Sequence, residues 1–275
     1  MLLAVPTVAA NGIDIYYERS GPEDDVDGPV RRLLFLNGSG STLAASAVVI
    51  KPFAARFDVV AHDQRGLGRT SIPEGPYTMA EYASDAAALL DAVGWDTCRV
   101  VGISFGGMVA QELAVTFPER VERLALMCTS PGGALGSSYP LHDLDGLPAV
   151  ERAATMVQLL DTRFTPEWLA SHPQDQALVD FLAQRVGVEK SAEVLRGEQE
   201  QLGARRGLDV CDRLPGIACP TLVASGRFDG IAPKANGEAI ASCIPGADLR
   251  IYEGGHAFFV QDPSAFPDIL DFLAG

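Results

Sequence analysis

Gly102-Ile103-Ser104-Phe105-Gly106-Gly107 is the stretch of this chain best equipped for chemistry. A serine set as G-x-S-x-G suits a sharp turn that lifts its hydroxyl clear of the main chain. The flanking glycines are required because a side chain there would strike neighbouring backbone. A serine hydroxyl is a poor nucleophile unless a base takes its proton and an acid holds that base in one tautomer. Four histidines are available: His62, His142, His172 and His256. His142 and His172 fall among helical patterns and read as exposed or packing residues. His62 reads as structural, at the end of a strand. His256 follows two glycines and the last apolar strand run, so it is the expected base. The acid is expected at a strand end between serine and histidine. Asp229, just after Thr221-Leu222-Val223-Ala224, meets both conditions. Asp248 precedes its strand and falls at the wrong end, and the end of the preceding strand offers only Thr129 and Ser130.

These residues need a scaffold, and the hydropathy pattern supplies one. Ile13, Ile15 and Tyr17 alternate with Asp14, Tyr16 and Glu18, which predicts a half-exposed strand after the Asn11-Gly12 turn. The residues ahead of that turn read as an edge strand rather than a signal peptide, because a basic leading segment is missing. A loop rich in Gly, Pro and Asp follows from Gly21 to Pro29. Leu33-Leu34-Phe35-Leu36, Val59-Val60-Ala61 and Val100-Val101-Gly102-Ile103 are short continuous apolar runs, as parallel strands covered on both faces require. Thr78-Met79-Ala80-Glu81 fits a capping box that opens a helix through Val93, with Gly94 as its stop. A helix from about Phe105 to Phe117 is apolar nearly all round, apart from Gln111, Glu112 and Thr116, and so is expected to be buried. From Pro131 to about Arg213 only helical patterns occur, one of them opened by Thr165-Pro166. Strand signals return at Thr221 and Leu249, and a last helix is expected from Asp262-Pro263. Helical spacing makes core packing the default for Tyr139, Met156, Phe164, Trp168 and Phe181. Arg185, Arg196, Arg205 and Arg206 are mainly surface residues that include candidates for a carboxylate clamp.

Strands alternating with helices, interrupted once by a helical block, predict an α/β fold in 275 residues. Hydrophobic residues at 47 % and charged ones at 21 % fit a globular chain. A net charge of −15 disfavours nucleic acid and anionic membrane as partners. No apolar run reaches the length of a membrane span. Five cysteines, an odd number without a C-x-x-C pair, predict a reducing, cytoplasmic setting. Cys128, inside an apolar run, reads as a buried small hydrophobe. Neither metal nor cofactor is expected: no H-E-x-x-H or cysteine cluster occurs, and Gly38-Ser39-Gly40 does not continue into a dinucleotide fingerprint.

The order Ser104, Asp229, His256 with these local motifs resembles the α/β-hydrolase superfamily over nearly the whole chain. Asp63-Gln64-Arg65-Gly66-Leu67-Gly68-Arg69-Thr70-Ser71 is similar to that family's D-x-R-G-x-G-x-S loop. The resemblance implies a mostly parallel eight-stranded sheet with a helical cap inserted after the sixth strand. The core is then 1–136 and 213–275, and the cap 137–212. It also implies an oxyanion hole made by the backbone N–H groups of Ser39 and Phe105. Many relatives carry His-Gly before the first of these, where this chain has Asn37-Gly38, similar to the 3-oxoadipate enol-lactonase branch. The implied activity is cofactor-free cleavage of a small ester or lactone through an acyl-enzyme on Ser104. C–C bond hydrolysis or perhydrolysis on the same residues stays open, as does a non-catalytic ligand receptor. Oligomeric state is not readable from the sequence.

Overall fold

The computed structural model describes residues 6–22, 31–183 and 190–275. The chain opens with β1 (Thr7–Ala10) and β2 (Ile13–Ser20), an antiparallel hairpin. Asn11 and Gly12 both adopt positive φ at its turn, as a tight hairpin demands. Next come β3 (Arg32–Leu36), α1 (Leu43–Ala54), β4 (Asp58–His62), α2 (Met79–Ala92), β5 (Cys98–Ile103), α3 (Phe105–Thr116) and β6 (Val121–Met127). Among the described residues the helices α4 (Ala149–Leu160), α5 (Pro166–Ser171), α6 (Pro173–Ala183) and α7 (Ala192–Arg206) follow before any further strand. The chain then finishes with β7 (Thr221–Gly226), α8 (Lys234–Cys243), β8 (Asp248–Tyr252), α9 (Phe258–Gln261) and α10 (Ala265–Ala274).

The eight strands form one sheet in the order β1-β2-β4-β3-β5-β6-β7-β8, and every pairing from β4 to β8 is parallel. Continuous apolar runs follow directly from helices on both faces. Leu34, Leu36, Val60, Val100, Leu124 and Leu126 turn to the face covered by α2 and α3. Their chain neighbours Leu33, Phe35, Val59, Val101 and Ala125 turn to the other, which α1 and α10 cover. Thr78 and Glu81 close the expected capping box on α2, and Gly94, at φ 72°, follows its end. Among the described residues no helix is long and apolar enough to cross a membrane.

Three expectations need correction. Tyr16, assigned to the exposed face of β2, is buried, because α1 and the 63–71 loop cover that face; its N–H donates to Thr70 Oγ1 at 2.9 Å. The helix α3 is buried as expected, its polar exceptions Gln111 and Glu112 included. Gln111 donates to the carbonyls of Gly107 and Ser130, and Glu112 takes both arms of Arg213. The helix expected from Asp262 is preceded by a separate short one, α9; Asp262 and Pro263 divide them, and α10 starts only at Ala265. Phe181, expected in a core, is 51 % exposed. Arg185 and most of the 21–29 loop lie outside the described residues.

Candidate active site

Parallel strands send their C-terminal ends to one edge of the sheet. There β5 runs into Ser104, β7 into the turn holding Asp229, and β8 into the loop holding His256. Ser104 has φ 55° and ψ −114°, a conformation that costs a non-glycine residue energy and persists only where its surroundings impose it. They do so from two sides: its N–H donates to Met127 O at 2.8 Å, and Thr129 Oγ1 donates to its carbonyl at 2.7 Å. A Cβ on Gly102 would lie 2.3 Å from Gly106 O, and one on Gly106 would lie 2.1 Å from Leu36 O. Both glycines are therefore steric necessities of the elbow, as the motif implied.

His256 Nδ1 and Asp229 Oδ2 are 2.8 Å apart, and the Asp229 side chain is fully buried. The other carboxylate oxygen, Oδ1, accepts from the N–H groups of Ile231 and Ala232, each at 2.8 Å. With both oxygens tied down, the carboxylate fixes the imidazole's plane and favours the tautomer with hydrogen on Nδ1. Nε2 is then left as an acceptor. Cys128 links this pair to the serine. Fully buried, with φ 41°, it sits beside the Ser104 backbone and within the field of Asp229. Burial, and secondarily that negative charge, push its thiol well above the usual value, so it is inert packing rather than a rival nucleophile.

The Asn37–Gly40 loop borders the same spot: a Cβ on Gly38 would come 3.6 Å from Ser104 Cβ. Among the described residues no protein acceptor takes the N–H of Ser39 or of Phe105. Those amides stay available to a ligand, and the Phe105 amide adds the positive end of α3. Gln64 Nε2 donates to Asn37 O at 2.6 Å, and Gly40 N–H donates to Gln201 Oε1 at 2.8 Å. A residue of α7 therefore holds the loop.

The other histidines are elsewhere. His62 is buried in the sheet, with Nδ1 unpartnered, and burial holds its pKa down at about 4. His172 stacks on Trp168 at 3.8 Å, and His142 Nε2 meets Asp143 at 3.3 Å.

Three residues that support the site were not legible in the sequence. Asp161, at the end of α4 and fully buried, takes Nε and Nη2 of Arg163 at 2.9 and 2.6 Å and Nε2 of Gln261 at 3.0 Å. Gln261 Oε1 in turn accepts from Gly255 N, while His256 N–H donates to Leu160 O at 2.6 Å. The Arg163 guanidinium lies 4.1 Å over the Phe228 ring, next to Asp229. No local motif signals such a cluster, because its members lie up to a hundred residues apart.

Known proteins match this architecture. A family model described as alpha/beta hydrolase fold matches residues 31–263. A 3-oxoadipate enol-lactonase of Acinetobacter baylyi is 29 % identical over 94 % of this chain and 92 % of its own. A poly(3-hydroxyalkanoate) depolymerase of Ectopseudomonas oleovorans is 30 % identical over 88 % of this chain and 83 % of its own. The crystal structure of the enol-lactonase from Burkholderia xenovorans superposes with a TM-score of 0.79, covering 98 % of this chain and all of that one, and at 24 % identity it speaks for the fold. Since the family match runs unbroken from β3 to beyond β8, the chain belongs to the α/β-hydrolase fold family.

Proposed function

We propose that this hydrolase is a serine enzyme for small carboxylic esters or lactones, with Ser104 as nucleophile, His256 as base and Asp229 as the acid that orients it. The hydrogen bond between His256 Nδ1 and Asp229 Oδ2, at the sheet edge where Ser104 stands on its strained elbow, carries the reading. In the proposed cycle Ser104 Oγ attacks the carbonyl carbon and its proton passes to His256 Nε2. The carbonyl oxygen becomes an oxyanion held by the N–H groups of Phe105 and Ser39. Losing one such donor costs about 2.7–4 kcal/mol of barrier in enzymes of this chemistry. The C–O bond breaks as the imidazolium returns the proton to the leaving oxygen. In a lactone that oxygen stays tethered to the acyl group, so one hydroxy- or keto-acid leaves at the end. Water, deprotonated by His256, then attacks the acyl carbon, and Ser104 departs with its proton restored.

The names borne by relatives, an enol-lactonase and a polyester depolymerase, support an acyl–oxygen bond as the target. Residues 137–212 serve as a cap over a core of 1–136 and 213–275, acting on a small molecule in the cytoplasm. The test is Ser104→Ala against wild type on p-nitrophenyl butyrate, an enol-lactone and a vinylogous diketone. The variant is expected to lose at least about a thousandfold in kcat on the ester and lactone while keeping its melting transition. Wild-type turnover by Ser104→Ala would falsify the mechanism, and turnover of the diketone alone would move the chemistry to C–C cleavage.

A further inference from the structure

A buried polar atom without a partner costs stability, and such atoms persist where geometry is worth more than that cost. Among the described residues seven buried side-chain atoms are in this state, and four of them gather at one loop: Asn37 Nδ2, Ser39 Oγ, Gln64 Oε1 and Gln201 Nε2. Asn37 and Ser39 belong to the loop itself. Gln64 and Gln201 are bonded to it, each by the other half of its amide.

Three successive peptides of this loop are each pinned by one hydrogen bond. Asn37 O accepts from Gln64 Nε2 at 2.6 Å, Gly38 O accepts from Ser41 N–H at 3.2 Å, and Gly40 N–H donates to Gln201 Oε1 at 2.8 Å. The middle peptide carries the Ser39 N–H, so the direction of that donor is set from both sides as well as by its own carbonyl. Ser39 and Gly40 are the inner residues of the turn that the Ser41 bond closes. Gly40 has φ 65°, the sign a type II turn requires at its third residue. The Ser39–Gly40 peptide is the one that turns over when a type II turn becomes type I, and Gln201 is the group that holds it.

Gln201 is itself fixed. It is 1 % exposed, and its helix α7 is seated on the 63–77 stretch: Arg196 Nη2 donates to Ile72 O at 3.0 Å, and a Cβ on Gly197 would fall 2.0 Å from Gly66 O. The glutamine amide cannot be reversed, since its –NH₂ would then face the Gly40 N–H, donor against donor. In the orientation it adopts, Nε2 is buried with nothing to bind. An apolar side chain of the same length would fill the place without that cost, so stability alone does not account for the amide.

We propose that Gln201 is a positioning residue for the oxyanion: from α7 it locks the turn that aims the Ser39 N–H at the carbonyl oxygen of a substrate on Ser104, a role that rests on the serine-hydrolase reading. The test is Gln201→Met, which keeps the side chain's length and withdraws the acceptor, against wild type and Ser104→Ala on p-nitrophenyl butyrate. The lost bond and the removed orphan donor offset each other, so the melting temperature is expected within about 3 °C of wild type. The expected loss in kcat is roughly 10- to 100-fold, part of what a missing oxyanion donor costs, with KM changed by no more than about twofold. Butylboronic acid, whose tetrahedral adduct with a serine places an oxygen in the hole, should bind more weakly by a similar factor. The pH profile of kcat/KM should keep its position, because the base and its acid are untouched. A contact that only holds the fold together would instead lower the melting temperature and leave kcat alone.

A kcat within about twofold of wild type overturns the proposal. So does a fall in kcat with a displaced pH profile, which would place the defect at His256. If Ser104→Ala turns over the ester as wild type does, the hydrolase reading falls and this role with it. If Ser104→Ala is inactive while Gln201→Met is unimpaired, only the role of Gln201 falls. Should Gln201→Met fail to fold, hydrogen exchange of the Gly40 amide in wild type decides it. Coupling is reciprocal, so filling the hole with butylboronic acid must slow that exchange, and an unchanged rate overturns the proposal.

Discussion

Of Ser104, Gly106 and Asp229, the glycine is held to its type by space alone. A methyl on Gly106 would lie 2.1 Å from Leu36 O and close to Asn37 O, both backbone atoms that cannot swing aside. Gly106→Ala is therefore expected to cost about 1–3 kcal/mol of stability in urea unfolding. Its loss of esterase activity should exceed that cost, because relief of the clash displaces both the elbow and the loop that bears Ser39. Asp229→Asn tests a subtler demand. An amide turned to keep its oxygen on the Ile231 and Ala232 N–H groups presents –NH₂ to His256 Nδ1. The proton is then driven to Nε2, which can no longer be the acceptor that the proposed cycle requires. A drop in kcat of about 10⁴ with an unchanged melting temperature is expected, the size seen when a triad aspartate is made an amide. These three positions were readable in the sequence because each obeys a local rule of spacing or of strand ends.

At the scale of elements, the strands and the helices α2, α3 and α5 followed from periodicity and caps, since those signals are written within a few residues of each other. Tyr16 shows where that reading stops. Alternation gives the two faces of a strand, but not whether a loop arriving from residues 63–71 covers the second one. The junction of α4 with the His256 loop was equally invisible. There the buried Asp161 ties Arg163, and through Gln261 the Gly255 amide, while the Leu160 carbonyl takes His256 N–H. Removing the carboxylate strands a partly buried guanidinium and leaves the Gln261 amide its longer bond to Asp175 at 3.3 Å. Asp161→Ala is accordingly expected to destabilise the protein by about 3 kcal/mol. It should also reduce kcat more than it raises KM, since the imidazole loses backbone support rather than substrate contacts. Chemical denaturation and steady-state kinetics on the same sample check both halves.

The whole molecule carries 36 acidic against 21 basic side chains, and two opposed effects follow as pH falls. Neutralising carboxylates relieves self-repulsion and favours the compact state. His62 works the other way. Burial in the sheet holds its pKa at about 4, against an ordinary value of 6.5. Between those limits the unfolded chain binds a proton that the folded chain refuses, so unfolding gains at most about 1.4 kcal/mol for each pH unit of descent. Integrated from pH 6.5 to pH 4, His62 alone withdraws up to about 3 kcal/mol; above pH 6.5 it contributes no slope. The unpartnered Nδ1 argues that no neighbouring acceptor compensates the charged form. The general charge term is common to wild type and to His62→Gln, so the difference between their stability curves isolates the histidine. Urea unfolding at intervals from pH 7.5 to 4.5 is expected to show wild type losing ground to the glutamine variant only below about pH 6.5, with the gap widening steadily toward acid. Parallel curves across that range would mean that protonated His62 finds room or water in the folded sheet.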